Sequence, residues 1–229
     1  MQLAGKTIVL TGGTDGIGRE LALQLRAKGA QLILTGRTPS RVAEMQALGF
    51  DVITADLSQP AGVDAVVTAL ADRPIDILIN NAGAGSDHDF REGPPDLADN
   101  DRCIHLNLNA PMHLITRLMV SLRARPEAMI VNVTSGLAIA PRAGGPVYCA
   151  TKAALRSYTQ AIRAQLAGTK IHVLEALPPV VETKLTAGRG SRKMAPTECA
   201  RQIVVAMEGN KQEANVGMVK LLQAVHSLS

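Results

Sequence analysis

Hydrophobic and polar positions follow two alternating patterns along this chain. Short apolar runs, rich in β-branched residues, occur at residues 6–11, 31–35, 51–55, 75–79, 130–133 and 171–176. Between them, apolar residues recur every three or four positions at residues 19–28, 40–48, 61–72, 102–125, 146–166 and 197–207. The first pattern is typical of buried strands and the second of amphipathic helices. Their alternation predicts six βα units, and therefore an α/β fold in which helices cover both faces of a parallel sheet.

The remaining stretches predict loops and one sheet edge. Residues 85–100 are predicted to form a polar loop rich in Pro and Gly, and residues 184–196 a second loop that could act as a small lid. A further edge strand is predicted at residues 215–218, followed by a short helix that ends at residue 228. The 229 residues contain no internal repeat and no low-complexity linker, so residues 1–229 are predicted to form one domain.

The composition limits the classes of protein to which this chain can belong. Hydrophobic residues make up 46% of the chain and aromatic residues 2%, so Ala, Val, Leu and Ile must fill the core. No apolar run approaches the roughly 18 residues of a membrane helix, and the N-terminus leads directly into a strand. We therefore expect a cytoplasmic protein without a membrane partner. The net charge of +4 is mild and shows no long basic block, so no nucleic-acid partner is expected.

The cysteines and histidines do not indicate a metal or disulfide framework. Cys103, Cys149 and Cys199 are widely spaced and odd in number, which favours reduced thiols. Cys149 is a candidate nucleophile beside Tyr148, but no histidine follows at motif spacing, and a small packed thiol is favoured. The histidines lack ligand spacing, so no metal site is predicted.

A glycine-rich turn, TGGTDGIG at residues 11–18, directly follows the first strand and opens the first helix. Gly12 permits a tight turn, Gly16 lets a pyrophosphate approach the backbone, and Gly18 lets the helix pack closely. The helix N-terminus offers N–H groups and partial positive charge to an anion. The spacing G-x-x-x-G-x-G differs from the general G-x-G-x-x-G fingerprint, and an ordinary βα turn is the alternative. Its position after the first strand favours a dinucleotide site in a Rossmann-like, doubly wound fold with three α/β/α layers.

The end of the second strand bears on which dinucleotide binds. An acidic residue there would bind the ribose hydroxyls of NAD, whereas an arginine can receive the 2′-phosphate of NADP. The sequence has Gly36 followed by Arg37, which favours NADP(H) and leaves NAD(H) possible. Asp15 in the glycine turn argues against this preference, because its carboxylate would repel a phosphate placed nearby.

Two further strand ends carry candidate cofactor contacts. Asp56 and Leu57 follow the third strand, where the carboxylate could accept from an adenine amino group or simply form the turn before the next helix. Asn81, Ala82 and Gly83 follow the fourth strand, where small residues would let the backbone lie against a ribose.

Ser135, Tyr148 and Lys152 are the candidate reactive side chains. Ser135 ends the fifth strand, and Tyr148 and Lys152 lie four residues apart in the following helix, on one face. A phenol has a reference pKa near 10, and a neighbouring cation lowers that pKa toward the range useful for acid/base catalysis. Ser135 could hold the reacting oxygen near the phenol. Tyr-x-x-x-Lys is also a common helical spacing, so this trio alone does not decide the function.

The sequence leaves the roles of two other polar features undecided. Asn107 lies within a predicted helix and before Pro111, so it either bends that helix or is presented to the site. Residues 184–193 form a flexible basic segment. Its Arg189, Arg192 and Lys193 either attract an anionic cofactor or substrate or belong to a solvated loop.

Together these motifs resemble the short-chain dehydrogenase/reductase family over nearly the whole chain. The matching residues, in family order, are Thr11-Gly-x-x-x-Gly16-x-Gly18, Asn80-Asn-Ala-Gly83, Asn107, Ser135 and Tyr148-x-x-x-Lys152. The segment from Pro178 to Thr183 is similar to the family's Pro-Gly…Thr turn, with Pro179 in place of the usual glycine. The sequences around Ser135, Tyr148 and this double proline are similar to the branch of DltE-like oxidoreductases.

The resemblance implies hydride transfer between a nicotinamide and a small-molecule carbonyl or alcohol substrate. Tyr148 would be the general acid/base, Lys152 would lower its pKa and hold the ribose, Ser135 would orient the substrate, and Asn107 would bend its helix and anchor a water. The resemblance also implies a homodimer or homotetramer whose subunits pair through the helices at residues 102–125 and 146–166. Thr183 would bind the nicotinamide carboxamide. Alternatives are a silent dinucleotide sensor or an epimerase.

The predicted cofactor site combines these strand ends with the helix of Tyr148 and the turn at Pro178. It consists of Gly12, Thr14, Asp15, Gly16, Ile17, Gly18, Arg37, Asp56, Leu57, Asn81, Ala82, Gly83, Tyr148, Lys152, Pro178, Val181 and Thr183.

Overall fold

One parallel sheet organises the chain in the computed structural model, which describes residues 1–188, 192–220 and 222. Its strands are β1 (Thr7–Leu10), β2 (Gln31–Gly36), β3 (Asp51–Thr54), β4 (Ile77–Asn80), β5 (Ala128–Val133), β6 (Ile171–Leu177) and β7 (Glu213–Asn215). They lie in the order β3-β2-β1-β4-β5-β6-β7, and every pair is parallel. The strand order reverses between β1 and β4, and ligands bind at the carboxyl ends beside such a switch point. The predicted α/β doubly wound fold is confirmed.

The helices connect successive strands and cover both faces of the sheet. They are α1 (Gly16–Ala27), α2 (Pro39–Ala47), α3 (Pro60–Ala69), α4 (Leu97–Ile104), α5 (Ala110–Arg123), α6 (Pro146–Gln165) and α7 (Pro196–Glu208). A π-helical turn, His105–Asn109, joins α4 to α5, and short 3₁₀ turns occur at Gly136–Ala138 and Lys184–Thr186. Proline opens α2, α3, α6 and α7, where its fixed φ and missing N–H favour a helix start.

The core is divided by the sheet into two apolar layers. Ile8 and Leu10 of β1 point into the layer formed with α1, α2 and α7, whereas Val9 points into the layer formed with α3, α5 and α6. Successive strand side chains alternate between faces, so a strand buried on both sides must be apolar throughout. Full burial of each such side chain contributes about 1.5–3 kcal/mol. This packing fixes the strand ends on which the polar residues lie.

Some predicted boundaries are wrong for local reasons. The long helix begins at Leu97 and not at residue 102, because the Asp96 carboxylate caps it by accepting from the Ala98 N–H. Helix α7 begins at Pro196, with Ala195 at the N-cap, so Thr197 is not the cap. The Thr197 hydroxyl instead donates to Glu20 at 2.9 Å. The edge strand pairs through residues 213–215, two residues earlier than predicted.

The predicted flexible segment at residues 184–193 is partly anchored. Met194 pairs with the chain at Val180 and Glu182 through two backbone hydrogen bonds, and Lys193 Nζ donates to the Thr186 carbonyl at 2.6 Å. The Lys193 ammonium is therefore bonded to the backbone of the 3₁₀ turn at Lys184–Thr186. Arg189 and the predicted helix after residue 222 lie outside the described residues. Among the helices that are described, none combines the length and the apolarity needed to cross a membrane.

Candidate active site

A cleft of about 450 Å³ opens at the carboxyl ends of β1, β2, β3 and β4. Most of the predicted cofactor residues line this cleft: Gly12, Thr14, Asp15, Gly16, Ile17, Gly18, Arg37, Asp56, Leu57, Asn81, Ala82, Gly83 and Thr183. Strands β1 and β4 flank the switch point, so the cleft lies where doubly wound folds bind their ligands.

The glycine turn has a shape that only glycine allows. Gly12 has φ 63°, a left-handed conformation that favours glycine. A Cβ on Gly18 would lie 2.1 Å from the Gly12 carbonyl oxygen and 2.5 Å from Asn81 Nδ2. Both distances are too short for a Cβ, so helix α1 packs against the turn at a distance that only glycine permits. The Asn81 amide in turn donates to the carbonyls of Thr11 and Gly12. The N-terminus of α1 is thereby held against the cleft, where it favours an anion.

Two arginines and two carboxylates lie together where β2 ends. Arg41 Nη1 is 2.7 Å from Asp15 Oδ2, and Arg37 Nη1 is 3.6 Å from Asp56 Oδ1. Asp15 also accepts from the Gly16 N–H as the cap of α1. The expected repulsion of a phosphate by Asp15 is therefore offset by Arg41. Arg41 was not among the residues predicted from the sequence, although its position four residues after Arg37 and in the first turn of α2 is a usable signal.

Asp56 forms the predicted turn and also lies on the wall of the cleft, where its contact with adenine stays a prediction. Its carboxylate accepts from the Ser58 N–H at 3.0 Å, which forms the turn before α3, and the residue also lines the cleft. Burial raises the pKa of the Asp56 carboxyl, but hydrogen bonds from Ser58 and the charge of Arg37 together hold it below its ordinary value. Asp56 is therefore a carboxylate at neutral pH.

A smaller cavity of about 100 Å³ adjoins the cleft and contains the candidate reactive side chains. Ser135, Tyr148 and Lys152 line it together with Pro178 and Val181. Residues that line both spaces connect them, and these are Ile17, Asn81, Gly83, Thr183 and Leu185. The structure thus brings every predicted cofactor residue to one of two connected cavities.

Lys152 is buried beneath the cavity, with 3% of its surface exposed. Its Nζ donates to the Val133 carbonyl at 2.9 Å and lies 5.8 Å from the centroid of the Tyr148 ring. Burial lowers the pKa of the Lys152 ammonium from 10.5 to about 8, because a low-dielectric site disfavours charge. At neutral pH most of the population still carries the positive charge beside the phenol.

The burial of Lys152 gives a pH dependence of stability. Its folded-state pKa of about 8 lies below the unfolded value of 10.5, so the unfolded chain binds the extra proton between these values. The free energy of unfolding therefore rises with pH across this window. We expect the free energy of unfolding of wild type, minus that of Lys152→Met, to rise by about 2 kcal/mol from about pH 7 to about pH 10. Urea unfolding of both proteins measures it. A constant difference would contradict the charged, buried state.

Ser135 lies at a firmly held strand end. Its Oγ accepts from the Leu137 N–H at 3.1 Å, which leaves the hydroxyl hydrogen for another acceptor. The preceding Thr134 donates to Glu175, which is fully buried and is also bound by Arg156 at 2.7 Å. Burial raises the pKa of the Glu175 carboxyl, and its bonds to Thr134 and Arg156 oppose that rise. This network fixes the backbone that carries Ser135.

Asn107 lies in the π-helical turn and is fully buried. Its Oδ1 accepts from the Ala84 N–H at 3.0 Å, and its Nδ2 donates to the Ala84 carbonyl at 2.9 Å and to Thr151 Oγ1 at 3.1 Å. Asn107 thus clamps the loop after β4 to helix α6. The helix around it departs from α-helical geometry, as π-turns often do at functional sites.

The three cysteines occupy packed positions. Cys103, Cys149 and Cys199 are buried and form no disulfide. The Cys149 sulfur accepts from the Arg142 N–H at 3.3 Å. Burial raises the pKa of Cys103 to about 11 and that of Cys199 to about 12, which makes both thiols poor nucleophiles at neutral pH.

Comparisons with known proteins agree with this geometry. The family model described as short chain dehydrogenase matches residues 6–193. The oxidoreductase DltE of Bacillus subtilis is 37% identical over 93% of this chain and 88% of its own. An NADP-dependent 3-hydroxy acid dehydrogenase of Schizosaccharomyces pombe is 31% identical over 82% of this chain and 76% of its own. The crystal structure of a short chain dehydrogenase from Burkholderia cenocepacia in complex with NADP superposes with a TM-score of 0.86 at 25% identity, covering 99% of this chain and 98% of that chain. The chain belongs to the short chain dehydrogenase family and is an oxidoreductase of that family.

Proposed function

We propose that this protein interconverts a carbonyl and an alcohol by hydride transfer with NADP(H), and that Tyr148 is its general acid/base. One observation carries the proposal. Ser135, Tyr148 and Lys152 line a small cavity that is continuous with the glycine-rich cleft. A dinucleotide in the cleft and a substrate beside Tyr148 would then meet at the shared residues.

The residues of the cleft fit a phosphorylated dinucleotide. The glycine turn leaves no room for side chains between the backbone and α1, and the helix N-terminus favours a pyrophosphate. Arg37 and Arg41 place two guanidinium groups where β2 ends, and their N–H donors suit the 2′-phosphate of NADP. The relatives that are NADP-dependent or bind NADP support the same choice. When bound, the nicotinamide supplies or accepts the hydride.

In the reduction direction, Tyr148 donates its phenolic proton to the substrate oxygen while Ser135 holds that oxygen by a hydrogen bond. The positive charge of Lys152, 5.8 Å from the Tyr148 ring, stabilises the phenolate that remains. We assign ribose binding to Lys152, and contacts on the nicotinamide side to Pro178, Val181 and Thr183. Asn107 positions the Ala84 loop and, as a further proposal, anchors a water for proton return.

The test is a panel of aldehydes, ketones and quinones with NADPH and with NADH, followed by the loss of reduced-nicotinamide absorbance. We expect turnover with at least one carbonyl class and a higher kcat/KM with NADPH. Nucleotide binding without turnover on any member would contradict the catalytic proposal and favour the dinucleotide sensor.

The single domain, the cytoplasmic location and the homodimer or homotetramer remain predictions. Size-exclusion chromatography with light scattering tests the last of these.

A further inference from the structure

A third cavity, of about 710 Å³, shares Ser135 and Tyr148 with the small catalytic cavity. Most of its walls are apolar side chains that come from distant parts of the chain. They include Leu137, Pro179, Val180, Leu185, Met218 and Leu222. The polar groups of Ser135 and Tyr148 therefore lie at one end of a largely hydrocarbon-lined space, next to the region assigned to the nicotinamide.

The charge on the cavity wall is compensated. Arg142 is the only Asp, Glu, Lys, Arg or His residue among the described lining residues, and its guanidinium is 2.6 Å from an Asp87 carboxylate oxygen. The Thr186 hydroxyl, also on the wall, donates to the Val181 carbonyl. A sugar or other polyhydroxylated substrate would lose its hydration here and find few partners, which costs free energy for each unpaired group.

The surface of this cavity exposes apolar residues. Met218 is 75% exposed, Val180 43% and Leu185 37%. Contiguous exposed apolar residues on a protein surface mark sites where an apolar ligand or partner binds. Pro179 adds its ring to this surface at the position where the family usually has glycine, which would add no side chain. The substitution thus extends the apolar wall in this chain.

We propose that this cavity binds the hydrocarbon portion of an uncharged carbonyl substrate whose oxygen lies at Ser135 and Tyr148. The substrate class is then an aliphatic or aryl aldehyde or ketone with a long apolar substituent. This inference rests on the proposed function for the position of the carbonyl. The apolar specificity itself rests only on the composition of the cavity.

The experiment compares propanal, hexanal, decanal and glyceraldehyde as substrates with NADPH. Each methylene transferred from water into the cavity should raise kcat/KM about fourfold until the alkyl chain passes its end. Glyceraldehyde should be a poorer substrate than propanal. Val180→Gln places a polar amide on the wall and should lower the ratio of kcat/KM for decanal to that for propanal about tenfold. The matched control is Val205→Gln, an exposed valine on α7 that does not line the cavity and should leave the ratio unchanged.

A binding measurement separates this inference from the proposed function. Calorimetric titration of propanamide, hexanamide and decanamide into the protein with NADP⁺ reports chain-length dependence without any turnover. Affinity that rises with chain length and falls in Val180→Gln supports the inference, even if no aldehyde is reduced and the proposed function fails. Turnover that is independent of chain length, or best with glyceraldehyde, overturns the inference and leaves the proposed function intact. The absence of both turnover and amide binding overturns both.

Discussion

Tyr148→Phe should lower kcat by about three orders of magnitude while changing the Kd for NADPH by less than about twofold. The substitution removes one hydroxyl and keeps the ring, so the packing of α6 and the position of Lys152 are preserved. Proton transfer by a positioned side chain contributes about 10²–10⁴ in rate, and the described cavity offers no second phenol to replace it. Steady-state kinetics on the best carbonyl of the panel, with calorimetry for NADPH, measures both quantities.

The chain provides a matched control for this substitution. Its only other tyrosine is Tyr158, on the same helix, which packs against the apolar layer under α3 and α5. Tyr158→Phe also removes one phenolic hydroxyl from α6 but lies away from the cavity, so kcat should stay within about twofold of wild type. Substantial turnover in Tyr148→Phe, or an equal loss in both variants, would remove Tyr148 from its proposed role.

The second large effect concerns cofactor selectivity. The double variant Arg37→Ala and Arg41→Ala should raise the Kd for NADPH about 100-fold and change the Kd for NADH only a few-fold. Each hydrogen bond to a charged group contributes about 1.5–3 kcal/mol, and both guanidinium groups lie where β2 ends. Their removal also leaves Asp15 and Asp56 uncompensated, and these carboxylates would repel a 2′-phosphate. Titration of both nucleotides at two salt concentrations measures the effect.

Arg117→Ala controls for the loss of a paired surface arginine. Arg117 binds Asp64 at 2.9 Å, both side chains are exposed, and neither lines the cleft. Its replacement should leave both nucleotide affinities unchanged. If the double variant loses NADPH and NADH affinity equally, the preference for the 2′-phosphate is wrong and the arginines contribute only general charge.

Local signals explain what the sequence predicted well. Strands that are buried on both faces must be apolar, and the glycine turn must avoid side chains. A few consecutive residues of the sequence are therefore enough to recognise either feature. Tyr148 and Lys152 are four residues apart on one helix, and that spacing alone places them together. The meeting of the strand-end residues at one edge of the sheet follows from parallel βαβ topology.

The remaining features depend on tertiary packing. Arg41 contacts Asp15 because the N-termini of α1 and α2 lie close together, and its spacing from Arg37 does not indicate that contact. The amide of Asn107 binds the Ala84 backbone across a loop, so its role as a clamp could not be seen from its unfavourable place in a helix. The apolar cavity combines Leu137, Val180 and Met218, and their common surface appears only when β5, β6 and β7 are in register.

Thr183 illustrates how late the cleft becomes complete during synthesis. A Cβ on Gly16 would lie 3.1 Å from Thr183 Cγ2. The glycine turn after β1 and the segment after β6 therefore form one wall of the cleft. Contacts between such distant residues form slowly, because a long loop must close before they are gained. A nascent polypeptide that has left the ribosome only as far as β4 therefore has its glycine turn but lacks the Thr183 wall of the cleft. We therefore expect nucleotide binding only after the C-terminal third of the chain has been synthesised.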